Sequence, residues 1–441
     1  MPDDRPSPDL PPLERPGSLG TLSRVAIDLT PLRESRDFRN LWFGQTISSI
    51  GSEITMVAIP FQMYRLTQST LAVGLLGLCE LVPLLTLAVF GGSVADAIER
   101  RRLLLRTEAA LALVSGALAV NAFLPHPRTW VLYALATCDG ALWSVSAPGM
   151  RSLMPQLVRS DQLAAASALE SVYANFGAVG GPAVGGLLIA AVGLPGTYLI
   201  DTGSFAASLV AVSSLPAIPP AEDAAPAGWR SMLEGLRYVK SRRAILGIFL
   251  IDSNAMVFGM PKALFPALAQ HRFGGGAAVV GFLYAAPYAG ALIASLVSGW
   301  AGRVRRQGIG VAIAAAGWGV ALIFFGYADA LWVALVFLAL AGAADFVSAT
   351  LRTAITFAAS PRAMQGRLAG MELAQVASAP TLGDVEAGAV AAVTSLRFSI
   401  VSGGMACVAG TGLILLAMPA LRRYDSRDPL GERAVAAPRG I

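Results

Sequence analysis

Residues 71–106 read LAVGLLGLCELVPLLTLAVFGGSVADAIERRRLLLR, and this stretch decides the fold class. Residues 71–95 carry a single charge, Glu80, and the run ends in Arg100, Arg101, Arg102 and Arg106. An apolar run of this length is what a helix needs to cross a bilayer, about 20 residues. Inside lipid every backbone N–H and C=O must be satisfied within the segment, which makes such a run a helix. A membrane barrel would instead alternate apolar and polar residues over about ten positions, and this stretch does not. Arginines gathered at one end mark the side retained in the cytoplasm.

The same pattern recurs outward in both directions. Of 441 residues, 55% are hydrophobic and 14% charged, against about 25% charged in a soluble domain. Spans are expected at about 40–64, 71–95, 103–124, 129–151, 163–192, 197–216, 243–268, 277–301, 308–327, 330–352, 366–392 and 396–420. The fold class expected is all-α integral membrane, with twelve transmembrane helices. Under that alternation 28 of the 33 Lys and Arg fall on the side of both termini. Arg65, Arg128, Lys262, Arg272 and Arg397 fall on the other. The split places both termini in the cytoplasm. It also accounts for the formal charge of +5 without a nucleic-acid partner.

Residues 1–37 are polar, rich in Pro, Asp and Arg, and contain no apolar core of a cleavable signal. Residues 217–241 interrupt the spans and are expected to form a cytoplasmic linker with an amphipathic helix along the membrane. They separate a first bundle, 38–216, from a second, 242–421, which leaves 422–441 as a cytoplasmic tail. The halves echo each other. Gly74 and Gly92 repeat the spacing of Gly281 and Gly299, and Pro60 with Arg65 is matched by Pro266 with Arg272. Cys79, Cys138 and Cys407 sit in apolar runs without metal-ligand spacing and are expected to pack rather than pair.

The loop Gly91-Gly92-Ser-Val-Ala-Asp96-Ala-Ile-Glu99-Arg100-Arg101-Arg102 resembles the loop motif of major facilitator transporters. Gly92 permits close helix approach, and Asp96 can accept hydrogen bonds from a helix N-terminus across the half interface, where the dipole favours an anion. Arg151 is the expected gate partner of Asp96. Ala97 and Glu99 depart from the motif, and the counterpart after span 8 has no acid, so gating is expected to be asymmetric. Gly177, Gly180, Gly181, Pro182, Gly185 and Gly186 in span 5 resemble the antiporter motif of exporters. Its small residues allow close packing, and its proline permits a bend. Further strings look like the enterobactin-exporter group, with macrolide efflux pumps as relatives: Cys138-Asp139-Gly140, Met154-Pro155, Phe265-Pro266 and Pro361 to Arg367. The resemblance runs from Phe38 to about Leu421. It implies two six-helix bundles around a midplane substrate site, proton-driven export of a siderophore or drug, and a cavity lined by spans 1, 4, 7 and 10.

Ionisable residues at membrane depth are costly and mark function. Glu53 and Asp139 are the leading proton-coupling candidates, followed by Asp252, Asp345, Glu80 and Glu386. Gln45 and Ser49 share the Glu53 face, Trp143 and Ser146 share that of Asp139, and Asn254 follows Asp252. Asp345 could pair with Arg352 on its own helix, while Glu170 and Glu372 are expected to cap helices or meet loop arginines. Tyr173, Phe176, Phe258, Tyr284 and Tyr288, with Trp143, could stack on a planar substrate. No cation is identified inside the cavity, which tells against a strongly anionic substrate. A membrane enzyme or receptor is disfavoured: the two histidines, His126 and His271, fall in outer loops, no phosphate-binding Gly-Lys loop is present, and no soluble output domain follows. The expectation is a monomeric exporter in a bacterial inner membrane, with a small organic substrate, no cofactor or metal, and a proton gradient as energy source.

Overall fold

The computed structural model describes residues 28–97, 99–153, 156–216 and 229–427. Within its helices, the side chains of residues 88–97, 148, 151–152, 229–232 and 362–363 fall outside that description. The expected gating residues Gly92, Asp96 and Arg151 belong to this group. Among the described residues all regular structure is helical. Eight segments of the described residues are long and apolar enough to cross a membrane.

The chain enters through α1 (Thr30–Glu34), and Ser35 caps α2 (Arg36–Thr67) by accepting from the Phe38 N–H. There follow α3 (Thr70–Ala97), α4 (Arg100–Phe123) and α5 (Thr129–Leu153). The two spans expected at 163–192 and 197–216 are joined in one element, α6 (Leu163–Ser213), whose only non-helical residue is Gly193 at φ 74°. A positive φ suits glycine, and Pro195 just beyond lacks an N–H, so the chain turns a corner there without a loop.

Within the stretch expected as a linker, Trp229–Ser241 form helix α7. It docks on α13 through an ion pair between Glu234 and Arg367 at 2.8 Å, and Tyr238 Oη donates to the Ala359 carbonyl at 3.2 Å. The span expected at 243–268 is broken. Helix α8 (Arg243–Phe258) ends at Gly259, a 3-10 turn covers Lys262–Leu264, and α9 (Phe265–His271) completes the crossing. Backbone groups freed by the break find partners, as they must at membrane depth. Trp318 Nε1 donates to the Gly259 carbonyl at 2.9 Å, and the Ala263 N–H donates to Asp384 Oδ1 at 2.8 Å. The remaining helices are α10 (Ala277–Leu296), α11 (Gln307–Tyr327), α12 (Leu331–Ala358), α13 (Arg362–Val393), α14 (Leu396–Ala417) and α15 (Pro419–Arg422).

Helix α2 lies along α6, α3 along α5, and α4 against α5 and α6. Further along the chain α10 and α11 pack on α12, α11 on α14, and α8 between α13 and α14. Two seams join these groups: α6 with α10, and α3 with α13. In the first seam backbones nearly touch, since a Cβ on Gly186 would lie 2.9 Å from Gly281 Cα. In the second, Thr70 Oγ1 donates to the Gly388 carbonyl at 2.9 Å. At the same end His271 Nε2 lies 3.0 Å from Tyr64 Oη, and Gln270 Nε2 donates to Gln68 Oε1 at 3.3 Å. These contacts tie the two groups together at the end that holds residues 64–70, 186, 270–281 and 388.

Candidate functional site

Three polar centres lie within the helical body. The first belongs to α2, α4 and α6; its aspartate is held by hydroxyls of the chain, while Glu108 Oε2 is buried without a hydrogen-bond partner. Asp201 is 1% exposed. Its Oδ2 accepts from Thr55 and from Ser115, both at 2.7 Å, and Ser204 adds a bond to Oδ1 at 3.3 Å. Two turns away Gln45 donates to Ser208 Oγ at 2.8 Å and to Glu108 Oε1 at 3.4 Å. Gln45, expected to line the cavity, thus fastens α2 to its neighbours. Ser49 spends its hydroxyl on the Thr46 carbonyl of its own helix at 3.1 Å. Asn254 is likewise a packing group: it donates to the Cys407 carbonyl of α14 at 2.8 Å.

The second centre surrounds an ion pair between Arg352 and Asp252, which are 9% and 4% exposed. Ser348 Oγ lies 3.3 Å from the same guanidinium nitrogen. The expected pairing of Asp345 with Arg352 along one helix is corrected here, because the partner comes from α8. Two turns along α12 is a poorer geometry than a direct approach from a neighbouring helix. Glu372 lines a small cavity with Asp252, Arg352, Thr356 and Gln375. It meets no loop arginine among the described ion pairs, contrary to expectation. Gln375 Nε2 donates to the Phe249 carbonyl at 2.8 Å and to Ser253 Oγ at 3.0 Å, which locks α13 to α8. Glu170 also forms no ion pair among the described residues.

The third centre lies between the two helix groups, at the break in α8–α9. Lys262, counted among the outer-side cations although the expected span at 243–268 contains it, stands in the 3-10 turn inside the Arg243–His271 crossing. Its Nζ donates to Tyr288 Oη at 3.1 Å and sits 5.2 Å from the centre of that ring. Tyr284 Oη donates to the Lys262 carbonyl at 3.3 Å. Three carboxylates from three helices lie in electrostatic reach of the ammonium: Glu53 on α2, Asp345 on α12 and Asp384 on α13. Glu80 of α3 senses both Asp139 of α5 and Asp384. That proximity follows from a close crossing, for a Cβ on Gly140 would lie 2.9 Å from Glu80 Cα. Glu80 and Trp143 are exposed. A carboxylate on the lipid face at mid-span is strongly unfavourable, so the Glu80 surface belongs to the cleft between the groups.

Glu53 and Asp345 lie within electrostatic reach of Lys262, and Glu80 within reach of Asp139 and Asp384, while Asp252 belongs to the second centre. Glu386 is half-buried and joins none of these contacts. Ser146 bonds back to Trp143 O at 3.3 Å. Among the aromatics, Tyr284 and Tyr288 reach the third centre, whereas Tyr173 packs edge-on against Trp42 at 6.4 Å. The absence of a cavity cation is corrected by Lys262. It lay within the expected span at 243–268 but was counted with the cations of the outer side, although Gly259-Met260-Pro261 is the kind of interruption that marks a discontinuous helix. Asp201 and Glu108 were missed for lack of any motif around them.

Of the antiporter-like residues, Gly181 and Gly185 lie against α2. A Cβ on Gly181 would crowd Glu53, with Cγ at 3.1 Å, and one on Gly185 would lie 3.0 Å from Ile54 Cα. Gly186 and Pro182 face Gly281 of α10, and Gly177 stands beside Ser49. In the basic loop, Arg102 pairs with Glu99 at 2.7 Å, and Arg101 donates to the Ser213 carbonyl at 2.6 Å. Arg100 makes no ion pair among the described residues. Cys407 is buried, Cys79 half-buried and Cys138 exposed, so packing describes the first better than the last.

A family model described as transmembrane secretion effector matches residues 26–439. The enterobactin exporter EntS of Shigella boydii serotype 18 is 29% identical over 91% of this chain and 97% of its own length. EntS of Escherichia coli O157:H7 matches with the same identity and coverage. Among solved structures, the nucleoside transporter NupG superposes with a TM-score of 0.67 at 13% identity, over 88% of this chain and 100% of that one. A bacterial homologue of the human lysosomal transporter Spinster, inward-facing and unoccupied, gives 0.65 at 14% identity, over 90% and 97%. The structural likenesses establish the shared fold of multi-pass membrane transporters, and the relatives are transporters rather than enzymes.

Proposed function

The chain belongs to the transmembrane secretion effector family of major facilitator transporters, and we propose from that premise that it exports a siderophore or similar small organic metabolite by proton antiport. Twelve spans form two bundles of six, 38–216 and 242–421, joined by the linker at 217–241. Both termini lie in the cytoplasm of a bacterium, and the protein works as a monomer in the inner membrane. The two bundles rock about the central cleft, the gating loop at Gly92, Asp96 and Arg151 closing one side.

The observation that carries this reading is the third centre. Acids from both bundles lie within electrostatic reach of Lys262 (Glu53, Asp345 and Asp384) or of one another (Glu80 with Asp139 and Asp384). Their titration can be linked to substrate because proton and substrate meet the same groups. The residues tying the bundles at the Tyr64–His271 end suit a state closed to the outside and ready to load from the cytoplasm. The names of the relatives favour a siderophore. The excess of acids over cations at the cleft favours, as a second reading, efflux of a cationic drug.

Inside-out vesicles test both. A catecholate siderophore and a cationic dye are offered under an imposed proton gradient to wild type, Glu53→Gln and Asp139→Asn. The expected result is gradient-driven siderophore uptake, lost in at least one variant. Dye uptake without siderophore uptake would replace the first reading with the second.

A further inference from the structure

Helix α7 carries exposed leucines and cations that its docking leaves unused. Its inner side is spent on the second helix group. Gly235 and Val239 are buried, and a Cβ on Gly235 would lie 3.5 Å from Met371 Cγ and 3.6 Å from Arg367 Cβ. Glu234 pairs with Arg367, and Tyr238 bonds the Ala359 carbonyl. At 3.6 residues per turn, Leu233, Leu236, Arg237 and Lys240 share the side away from Gly235. Leu233 and Leu236 are each 40% exposed. Arg237 and Lys240 are exposed beside them, and Arg242 and Arg243 are exposed at the turn into α8.

The docking also fixes the depth of this face. Helix α13 has 32 residues, about 48 Å at 1.5 Å per residue, against roughly 40–45 Å for a bilayer with its headgroups. Arg367 and Met371, on which Gly235 rests, stand roughly 8–14 Å along the axis from Arg362. That level is the boundary between headgroups and acyl chains. The covalent connection agrees, since only Arg242 separates α7 from α8, where the Arg243–His271 crossing begins.

Charge decides what such a face meets. Arg237, Lys240, Arg242 and Arg243 form no ion pair among the described residues. The one acid of α7, Glu234, is already paired with Arg367. Leucines bordered by long cationic chains suit a helix lying in the membrane interface, with the apolar groups at the acyl boundary and the charges reaching outward to headgroups. A zwitterionic headgroup brings its own ammonium with each phosphate. Four unpaired cations are complemented by headgroups that carry net negative charge.

We propose that the outer face of α7 is a binding surface for anionic phospholipid, with Leu233 and Leu236 at the acyl boundary and Arg237, Lys240, Arg242 and Arg243 on the phosphates. The inference needs the membrane setting and not the identity of any transported substrate. Lipid held there bears on α13 through the Glu234–Arg367 pair, and α13 forms one of the two seams, with α3.

The full chain, with Cys79, Cys138 and Cys407 replaced by alanine, carries a bimane fluorophore on Leu236→Cys and is reconstituted in mixtures of phosphatidylcholine and phosphatidylglycerol. One lipid or the other is supplied with dibrominated acyl chains, which quench a fluorophore that they touch. The relative affinity for phosphatidylglycerol over phosphatidylcholine is expected to be about tenfold, and Lys240→Gln to lower it about fivefold, the weight of one cation at a membrane surface. Arg237→Lys, which keeps the charge, leaves it unchanged, and high salt reduces it. A bimane on Leu340→Cys, an exposed position within α12, is quenched equally by both lipids in every variant and shows that the helices stay in the bilayer. Equal quenching of the α7 label by both lipids would mean that the leucines are immersed without selection of charge. Quenching by neither would mean that the face meets water or another protein. Selectivity that survives neutralisation of all four cations would place the anionic lipid elsewhere. Each of these three results overturns the proposal, and none of them bears on the exporter reading, because the measurement does not use transport.

Discussion

Arg352 and Asp252 meet where two helices of the second group cross, and both are nearly inaccessible. Removing one partner of a buried pair leaves a charge that the interior cannot solvate, at a cost of about 3–5 kcal/mol, whereas replacing both with apolar groups is often neutral. Arg352→Ala is accordingly expected to lower the midpoint of thermal unfolding in detergent sharply, and Arg352→Met combined with Asp252→Leu to recover most of the loss. A single variant as stable as wild type would mean that the pair contributes nothing. Both charges are legible in the sequence as anomalies in apolar runs. Their pairing is not, since the nearest acid along α12, Asp345, offered a partner and nothing local pointed to α8. Lys262 illustrates the opposite difficulty. Its residue type and its place within the expected span at 243–268 carried the right information, but it was counted with the cations of the outer side.

At the scale of the element, the small-residue pattern of α6 divides into two faces. Gly181 and Gly185 receive α2, while Gly186 receives Gly281 of α10. A side chain at Gly281 would strike the Pro182 carbonyl and the Gly186 backbone, which are unable to move without parting the seam. Gly281→Leu is expected to abolish transport while Gly180→Ala, whose added methyl meets nothing within 4 Å, leaves it intact. Transport in vesicles at matched expression reads the difference, and equal activity would contradict the seam. The motif itself was plain in the sequence, and so was the echo of Gly74 with Gly281 between halves. The corner at Gly193 falls in the gap expected between the spans at 163–192 and 197–216. The break at Gly259 to Pro261 was not legible, since it interrupts a crossing that continues beyond and hydropathy averages across it.

For the whole molecule, apolar runs and the distribution of arginine sufficed to mark helices crossing a membrane. Which helix of one group meets which of the other depends on side-chain fit across hundreds of residues, and no periodicity records it. The structure assigns the seams to α6 with α10 and α3 with α13. It also brings Gln68 and Gln270 together at the closed end, 3.3 Å between their amide groups. Transport by alternating access requires that contact to open and close in every cycle. The direct measurement replaces Cys79, Cys138 and Cys407 with alanine, introduces Gln68→Cys and Gln270→Cys, and follows siderophore transport before oxidation, after it, and after reduction. A disulfide that forms readily, stops transport and releases it on reduction is the predicted result. Undiminished transport by the fully cross-linked protein would contradict an exporter that works by parting its two helix groups at this end.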